Sequence, residues 1–299
     1  MIETLGIKEN FLGIEKEYSS LENSRVVIVP TPYERSVSYG IGAKRGPQAI
    51  LKASHYVESY DEELEREVYQ EVGIATLRPL DFGKKSDEKA LQQIYKRVRA
   101  LVDQGKFVVT LGGEHTISQA SIAAHAEKYP DLSLLQLDAH SDLRDEYEGN
   151  KYSHASVMAR VCEFFDPRKI VQVGIRAQCK EEASTIKEKG ITTFYAHEIR
   201  RGKYTRLLKY WEDLVIEKLT DNVYVTFDVD AFDPSIMPAT GTPEPNGLYW
   251  HETMNFFRKL GNRRKIVGFD AVELAPIEGL QHPDVTAAKL IYKILNYAM

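Results

Sequence analysis

The chain is expected to adopt an α/β fold with a central, mostly parallel sheet, on three observations. Short β-branched runs recur along it, amphipathic stretches separate most of them, and the runs are apolar on both faces, as in a sheet covered by helices on both sides. In order, the strand-like runs are Arg25 to Pro30, Phe107 to Leu111, Leu132 to Asp138, Lys169 to Ile175, Ile191 to Tyr195, Asn222 to Asp228 and Lys265 to Asp270. Between the first two, Glu88 to Gln104 repeats apolar residues at three and four positions, and Gly105 stops it as a glycine past a helix end does. No Pro, Gly or Ser tract marks a linker and no repeat is visible, so residues 1–299 read as one domain.

The bulk numbers narrow the function. A net charge of −5, with Lys and Arg scattered among the acids, leaves no basic footprint for nucleic acid or an anionic membrane. No apolar run approaches the roughly 20 residues that span a bilayer. Two cysteines are too few for a disulfide framework, and the opening Met-Ile-Glu-Thr-Leu-Gly-Ile-Lys has no charged region followed by an apolar signal core. These features predict a cytoplasmic protein whose partner is a small molecule, a cation included.

Two segments carry the chemistry. Leu-Asp-Ala-His-Ser-Asp-Leu spans 137 to 143, and Thr-Phe-Asp-Val-Asp-Ala-Phe-Asp-Pro spans 226 to 234, each after an apolar run. In an extended segment Asp138, His140 and Asp142 would share one face, as would Asp228 and Asp230. His115, in Leu-Gly-Gly-Glu-His, is the sixth candidate, placed where paired glycines let the chain turn at a strand's carboxyl end. In parallel sheets ligands bind beyond those ends. Alone, each motif is more often strand-end capping or solvated loop polarity. Together they put four Asp and two His in one place, and burying that many unpaired carboxylates would be prohibitive without cations. The set therefore reads as a binuclear site, and oxygen-rich ligation with two imidazoles and no thiolate suits Mn²⁺ or a similar first-row ion.

Other features read more blandly. Gly40-Ile-Gly42-Ala-Lys-Arg-Gly46 has the wrong spacing for a phosphate loop and lies too far past Pro30, so a substrate-entrance loop is the better reading. His55 and His125 fall in helical patterns, and His197, His251 and His282 lack ligand-spaced companions. Cys162 and Cys179 have no patterned base and read as inert or merely exposed thiols.

Several segments in one order resemble the ureohydrolase family of arginases and agmatinases over nearly the whole chain. They are Gly-Gly-Glu-His at 112 to 115, Asp-Ala-His-Ser-Asp at 138 to 142, Ser-His at 153 to 154, Phe-Asp-Val-Asp-Ala-Phe-Asp-Pro at 227 to 234 and Gly-Thr-Pro-Glu-Pro at 241 to 245. Pro-Tyr-Glu at 32 to 34, Ser-Tyr-Gly at 38 to 40 and Gly-Pro-Gln-Ala-Ile at 46 to 50 are similar to that family's opening. The resemblance implies a three-layer α/β/α domain, assembled as trimers or hexamers, with two Mn²⁺ per chain. By motif, His115 and Asp142 would hold one ion, His140 and Asp230 the other, and Asp138 and Asp228 would bridge them. Water activated there would attack a guanidinium carbon, releasing urea and an amine. Asp142 would pass the proton to the leaving amine, His154 would be the proton shuttle or substrate contact, and Glu273 would pair with the guanidinium.

Within that family the segment after Asp142 and Thr-Pro-Glu-Pro look most like an agmatinase of polyamine biosynthesis. Asp145, Glu146, Glu148 and Glu244 would form an acidic rim favouring a cationic amine tail over a zwitterion. Ala155, where agmatinases usually carry Gly, and Arg144 keep N1-aminopropylagmatine and 4-guanidinobutyrate open as substrates, with arginine as a further one. From other classes, a zinc deacetylase of similar fold is disfavoured by the lack of a His-His pair. A non-catalytic metal or guanidinium binder would have no use for His154.

Overall fold

The computed structural model describes residues 3–205 and 210–299; Met1 and Ile2, at the head of the segment read for a targeting signal, lie outside it. Its centre is one eight-stranded sheet: β1 (Val26–Thr31), β2 (Ile74–Thr76), β3 (Phe107–Gly112), β4 (Ser133–Leu137), β5 (Ile170–Ile175), β6 (Thr192–Tyr195), β7 (Asn222–Asp228) and β8 (Lys265–Val272). Every pairing is parallel, in the order β2-β1-β3-β8-β7-β4-β5-β6. The seven expected strands form, with ends shifted by no more than two residues and Asn222–Asp228 unshifted. The eighth, β2, is three residues long and escaped the sequence reading because it is too short to show a period.

Alternate residues of β1 sort the layers. Val26 and Ile28 pack in an apolar cluster with Ile50, Phe257 and Leu290, while Val27 and Val29 point to the other face against Leu91, Ile94 and Val98. The longer helices supply these partners: α1 (Gly46–Ser54), α2 (Asp87–Asp103), α3 (Ser118–Ala126), α4 (Lys180–Lys189), α5 (Trp250–Arg263) and α6 (His282–Ala298). Helices thus cover both faces, the three-layer α/β/α arrangement. The α2 helix begins and ends one residue before its expected limits, and Gly105 takes φ +76° just beyond it. Among the described residues, no helix is long and apolar enough to cross a membrane.

The carboxyl edge of the sheet is where chain chemistry gathers. Gly112 and Gly113 follow β3, and a Cβ on Gly113 would lie 1.7 Å from the Tyr33 carbonyl oxygen. This close approach lets the Glu114 amide donate to that same carbonyl at 2.8 Å, pinning residues 32 to 36 over the strand end.

Candidate active site

His115, His140, Asp142, His154, Asp228, Asp230 and Glu273 line one cavity above β3, β4, β7 and β8, with Asp138 beside them. His115 opens a 3-10 turn after β3, Asp138 to Asp142 form the loop after β4, Asp228 ends β7, and Glu273 follows β8. His115, the four Asp and Glu273 are each at most 8% exposed, so their charges have little water to solvate them.

Convergence is achieved differently from the alternation argument. The Asp138–Asp142 loop is not extended throughout: Asp142 takes φ +55°, and its carbonyl accepts bonds from the Met158 and Ala159 amides. Asp230 sits in a 3-10 turn whose first amides need a cap, and Asp228 Oδ1 accepts from Asp230 N at 2.9 Å. Tight turns therefore aim the carboxylates inward.

Two groups result. His115, Asp138 and Asp142 form one, and Asp138, His140 and Asp230 the other, so Asp138 is common to both. His115 Nδ1 lies 2.9 Å from Asp142, 3.1 Å from Asp138 and 3.4 Å from Asp228, yet makes no hydrogen bond of acceptable geometry. An orphaned nitrogen facing three carboxylates is what a cation-ligating histidine presents. His140 Nδ1 lies 2.9 Å from Asp230 and 3.8 Å from Asp138. Burial, then the Asp142 and Asp230 charges, pushes Asp138 up to about 7. Asp228 is raised well above the usual carboxylate range by burial and by Asp230 and Asp138. Burial opposes ionisation of Asp230 too, but His140 beside it lowers its pKa to about 2. Such crowding of like charge is relieved by divalent cations, so the donor set fits a metal pair.

The groups behind these side chains were not foreseen. His115 Nε2 is 2.8 Å from Thr226 Oγ1, which donates to Asp270 at 2.7 Å, and Tyr224 donates to the same carboxylate at 2.8 Å. That leaves Nδ1 free to face the cavity. A buried row runs from the sheet edge: Thr193 Oγ1 donates to Gln172 Oε1, Gln172 Nε2 to Gln136 Oε1, and Gln136 Nε2 to Asp138 Oδ2, at 2.8 to 2.9 Å. Arg176 donates to the carbonyls of Asp230, Phe232 and Glu244, binding the two loops that flank the cavity. Polar residues inside otherwise apolar strands, such as Gln136 and Thr226, were the available signal.

Glu273 takes φ +65° and its Oε1 accepts the His115 amide at 2.6 Å. Burial, then the Glu114 charge, raises its pKa well above the usual range. Val37, Ser38 and Tyr39 line the cavity mouth; the segment 40–46 expected as the entrance loop does not line it, and touches its wall only where Gly40 packs against Gly241.

A side pocket of about 280 Å³ adjoins the cavity, lined in part by Arg144, Tyr147, His154, Gln178, Glu182 and Glu244. Of the expected acidic rim only Glu244 lines it; Asp145 is drawn off by Arg160 at 2.6 Å, and Glu182 and Asp142 are the other carboxylates in its wall. Arg144 lies over the Tyr147 ring at 5.2 Å, with its Nε 3.9 Å from Glu182. Cys162 and Cys179 are outside the site, and burial pushes the Cys162 thiol up to about 11.

The model of the Arginase family matches residues 24–296. The N(1)-aminopropylagmatine ureohydrolase of Synechocystis sp. is 38% identical over 284 residues, covering 93% of this chain and 90% of its own. An agmatinase of Bacillus anthracis is 37% identical over 289 residues, covering 94% of each. Among solved structures, the agmatine ureohydrolase of Thermoplasma volcanium superposes with a TM-score of 0.82 at 30% identity, covering 93% of this chain and 90% of that one. With the carboxyl-edge site and this match over nearly its whole length, the chain belongs to the arginase family and is a ureohydrolase.

Proposed function

We propose that this ureohydrolase cleaves agmatine to putrescine and urea with two Mn²⁺ ions per chain. The observation that carries the agmatine assignment is the side pocket. Glu182 and Glu244 face it while its one cation, Arg144, is paired with Glu182 and stacked on Tyr147, so the pocket suits an amine tail better than an acid one. In this reading His115, Asp138, His140, Asp142, Asp228 and Asp230 would hold the two ions. Bound there, the ions would neutralise the carboxylates and acidify a water far below its usual pKa.

The chain's own residues do the rest. Glu273 pairs with the guanidinium, whose positive charge restores the ionised form that burial disfavours, and so turns the guanidinium carbon toward the ligand set. Asp142 receives a proton from the attacking water and returns it to the leaving nitrogen. His154, at the junction of cavity and pocket, serves the departing amine. One water is consumed, one C–N bond breaks, and urea and a primary amine leave.

N1-aminopropylagmatine is the second reading, favoured by the open side pocket and by the Synechocystis relative's name. The unpaired thiols suit a reducing, cytoplasmic setting, and the exposed Tyr39, Ile41 and Tyr56 suit assembly as a trimer or hexamer. Urea release measured side by side for agmatine, N1-aminopropylagmatine, 4-guanidinobutyrate and arginine, with Mn²⁺ present, tests the assignment. The highest kcat/KM is expected for agmatine. A preference for arginine or 4-guanidinobutyrate would overturn the tail reading, and urea from none of them would overturn the function.

A further inference from the structure

Glu114 carries no role in the reading above, although it is fully buried beside the site. Its Oε2 accepts the backbone amides of Arg35 and Ser36, each at 2.7 Å, and its Oε1 accepts the Ser36 hydroxyl at 2.9 Å. Ser36 Oγ in turn accepts the His154 amide at 2.9 Å and stands 3.3 Å from His154 Nδ1. A serine hydroxyl has one hydrogen. If it goes to Glu114, the Nδ1 contact is a hydrogen bond only when Nδ1 carries the proton. Ser153 Oγ, 3.4 Å from Nδ1, is the competing donor, and it stands farther from the ring than Ser36.

We propose that Glu114 and Ser36 form a positioning relay that fixes His154 as the Nδ1–H tautomer, leaving Nε2 bare to take and give the proton of the leaving amine. This rests on the reading of His154 as a proton-transfer residue. The relay also explains the Gly113 contact: Glu114 can reach Ser36 only because the chain after β3 touches the Tyr33 backbone. It spans 118 residues between Ser36 and His154 and ties the loop at Ser36 and the turn after β3 to the 3-10 turn that His154 opens.

Two substitutions separate orientation from folding. In Glu114→Gln the amide oxygen can still accept the two backbone N–H groups, but its NH₂ then faces Ser36 Oγ. The serine hydrogen is forced toward Nδ1 and the tautomer inverts, a change that leaves the packing intact. Ser36→Ala removes the relay, and Ser36→Thr keeps a hydroxyl at the same place. The experiment uses protein loaded with diamagnetic Mg²⁺ and labelled with ¹⁵N in its histidine rings. His154 is assigned by its loss in His154→Gln, at a pH where the ring is neutral. The expected spectrum has a protonated Nδ1 and a bare Nε2 in the parent, the reverse in Glu114→Gln, and an averaged pair in Ser36→Ala. With Mn²⁺ and the preferred guanidine, kcat should fall about 10-fold in Ser36→Ala and roughly 100-fold in Glu114→Gln, no more than the roughly 10²–10⁴-fold that one proton-transfer group contributes. KM and ion content should hold, and Ser36→Thr should regain most of the loss. A parent ring protonated at Nε2, or one unmoved by Glu114→Gln, overturns the relay. Equal losses in Ser36→Ala and Ser36→Thr overturn it as well. A parent that releases urea from no guanidine overturns the proposed reaction instead, and the ring spectra still decide the relay.

Discussion

Glu273 and Asp142 both occupy positive φ, which a side chain with a Cβ adopts at a cost of about 1–3 kcal/mol, and both face the cavity. The backbone is bent where the reactive groups must point. Glu273→Gln keeps the shape and removes the charge partner of the guanidinium. Transition-state and substrate binding should weaken by roughly 1.5–3 kcal/mol, read as a 10- to 150-fold fall in kcat/KM dominated by KM. Unchanged kinetics would remove Glu273 from the substrate site. Asp228→Ala is expected to release both ions, measured by metal analysis after desalting, because this carboxylate lies against His115 and is electrostatically tied to Asp138 and Asp230. His154→Ala should keep both ions and lose turnover, and loss of one ion would make it a ligand. At this scale the sequence was informative: the six candidate ligands lie together, as identity and spacing led one to expect, whereas Glu273 was named only through the family resemblance. What spacing could not encode was the route, since a left-handed Asp142 and a capped 3-10 turn at Asp228 replace extended alternation.

Among the elements, α3 makes a contact that pH can interrogate. Its His125 ring is buried, 4.6 Å from the Tyr224 ring, and sits over Gly268, where a Cβ would come within 2.3 Å of Nε2. Burial lowers its pKa to about 4, against a weak opposing bond from Nδ1 to the Ser121 carbonyl. The fold therefore prefers the neutral ring, while the unfolded chain takes up a proton near pH 6.5. Stability from this group is whole above pH 6.5, is lost as the pH falls to about 4, and is then constant. The loss is about 3 kcal/mol. Denaturant melts at pH 7 and pH 4.5 should show a smaller acid loss in His125→Phe than in the parent, and equal losses would refute the assignment. The sequence placed His125 in a helix; only the tertiary contact with Gly268 explains why its ring is dry. The strand β2 and the clamp at Arg176 were illegible for a related reason, since one is too short for periodicity and the other binds carbonyls, which have no sequence signature.

For the molecule as a whole, the site is the seam where the β3, β4, β7 and β8 ends meet, so what binds there should stabilise everything. An ion present at a thousandfold over its Kd adds about 4 kcal/mol to the folded state. Chelation is expected to lower Tm by several degrees, with Mn²⁺ restoring it as the logarithm of its concentration, and a Tm indifferent to chelator would mean the carboxylates are not held together by cations.

The glutamine row carries this coupling sideways. Gln136, Gln172 and Thr193 are register partners on three adjacent strands, so the row marks a single position across the sheet, and a slip of one residue would turn it to the opposite face. It also has a sense. Each oxygen along it receives a donor from the β6 side, so only an N–H can emerge at Asp138. A threonine at the rim of the sheet thereby helps set which end of an amide a buried carboxylate sees two strands away. Thr193→Val would remove that outer donor and leave the sense of the row to the bonds that the Gln172 and Gln136 amides donate to the Ser141 and His140 carbonyls, so an amide oxygen would turn toward Asp138, and repel it, more often than in the parent.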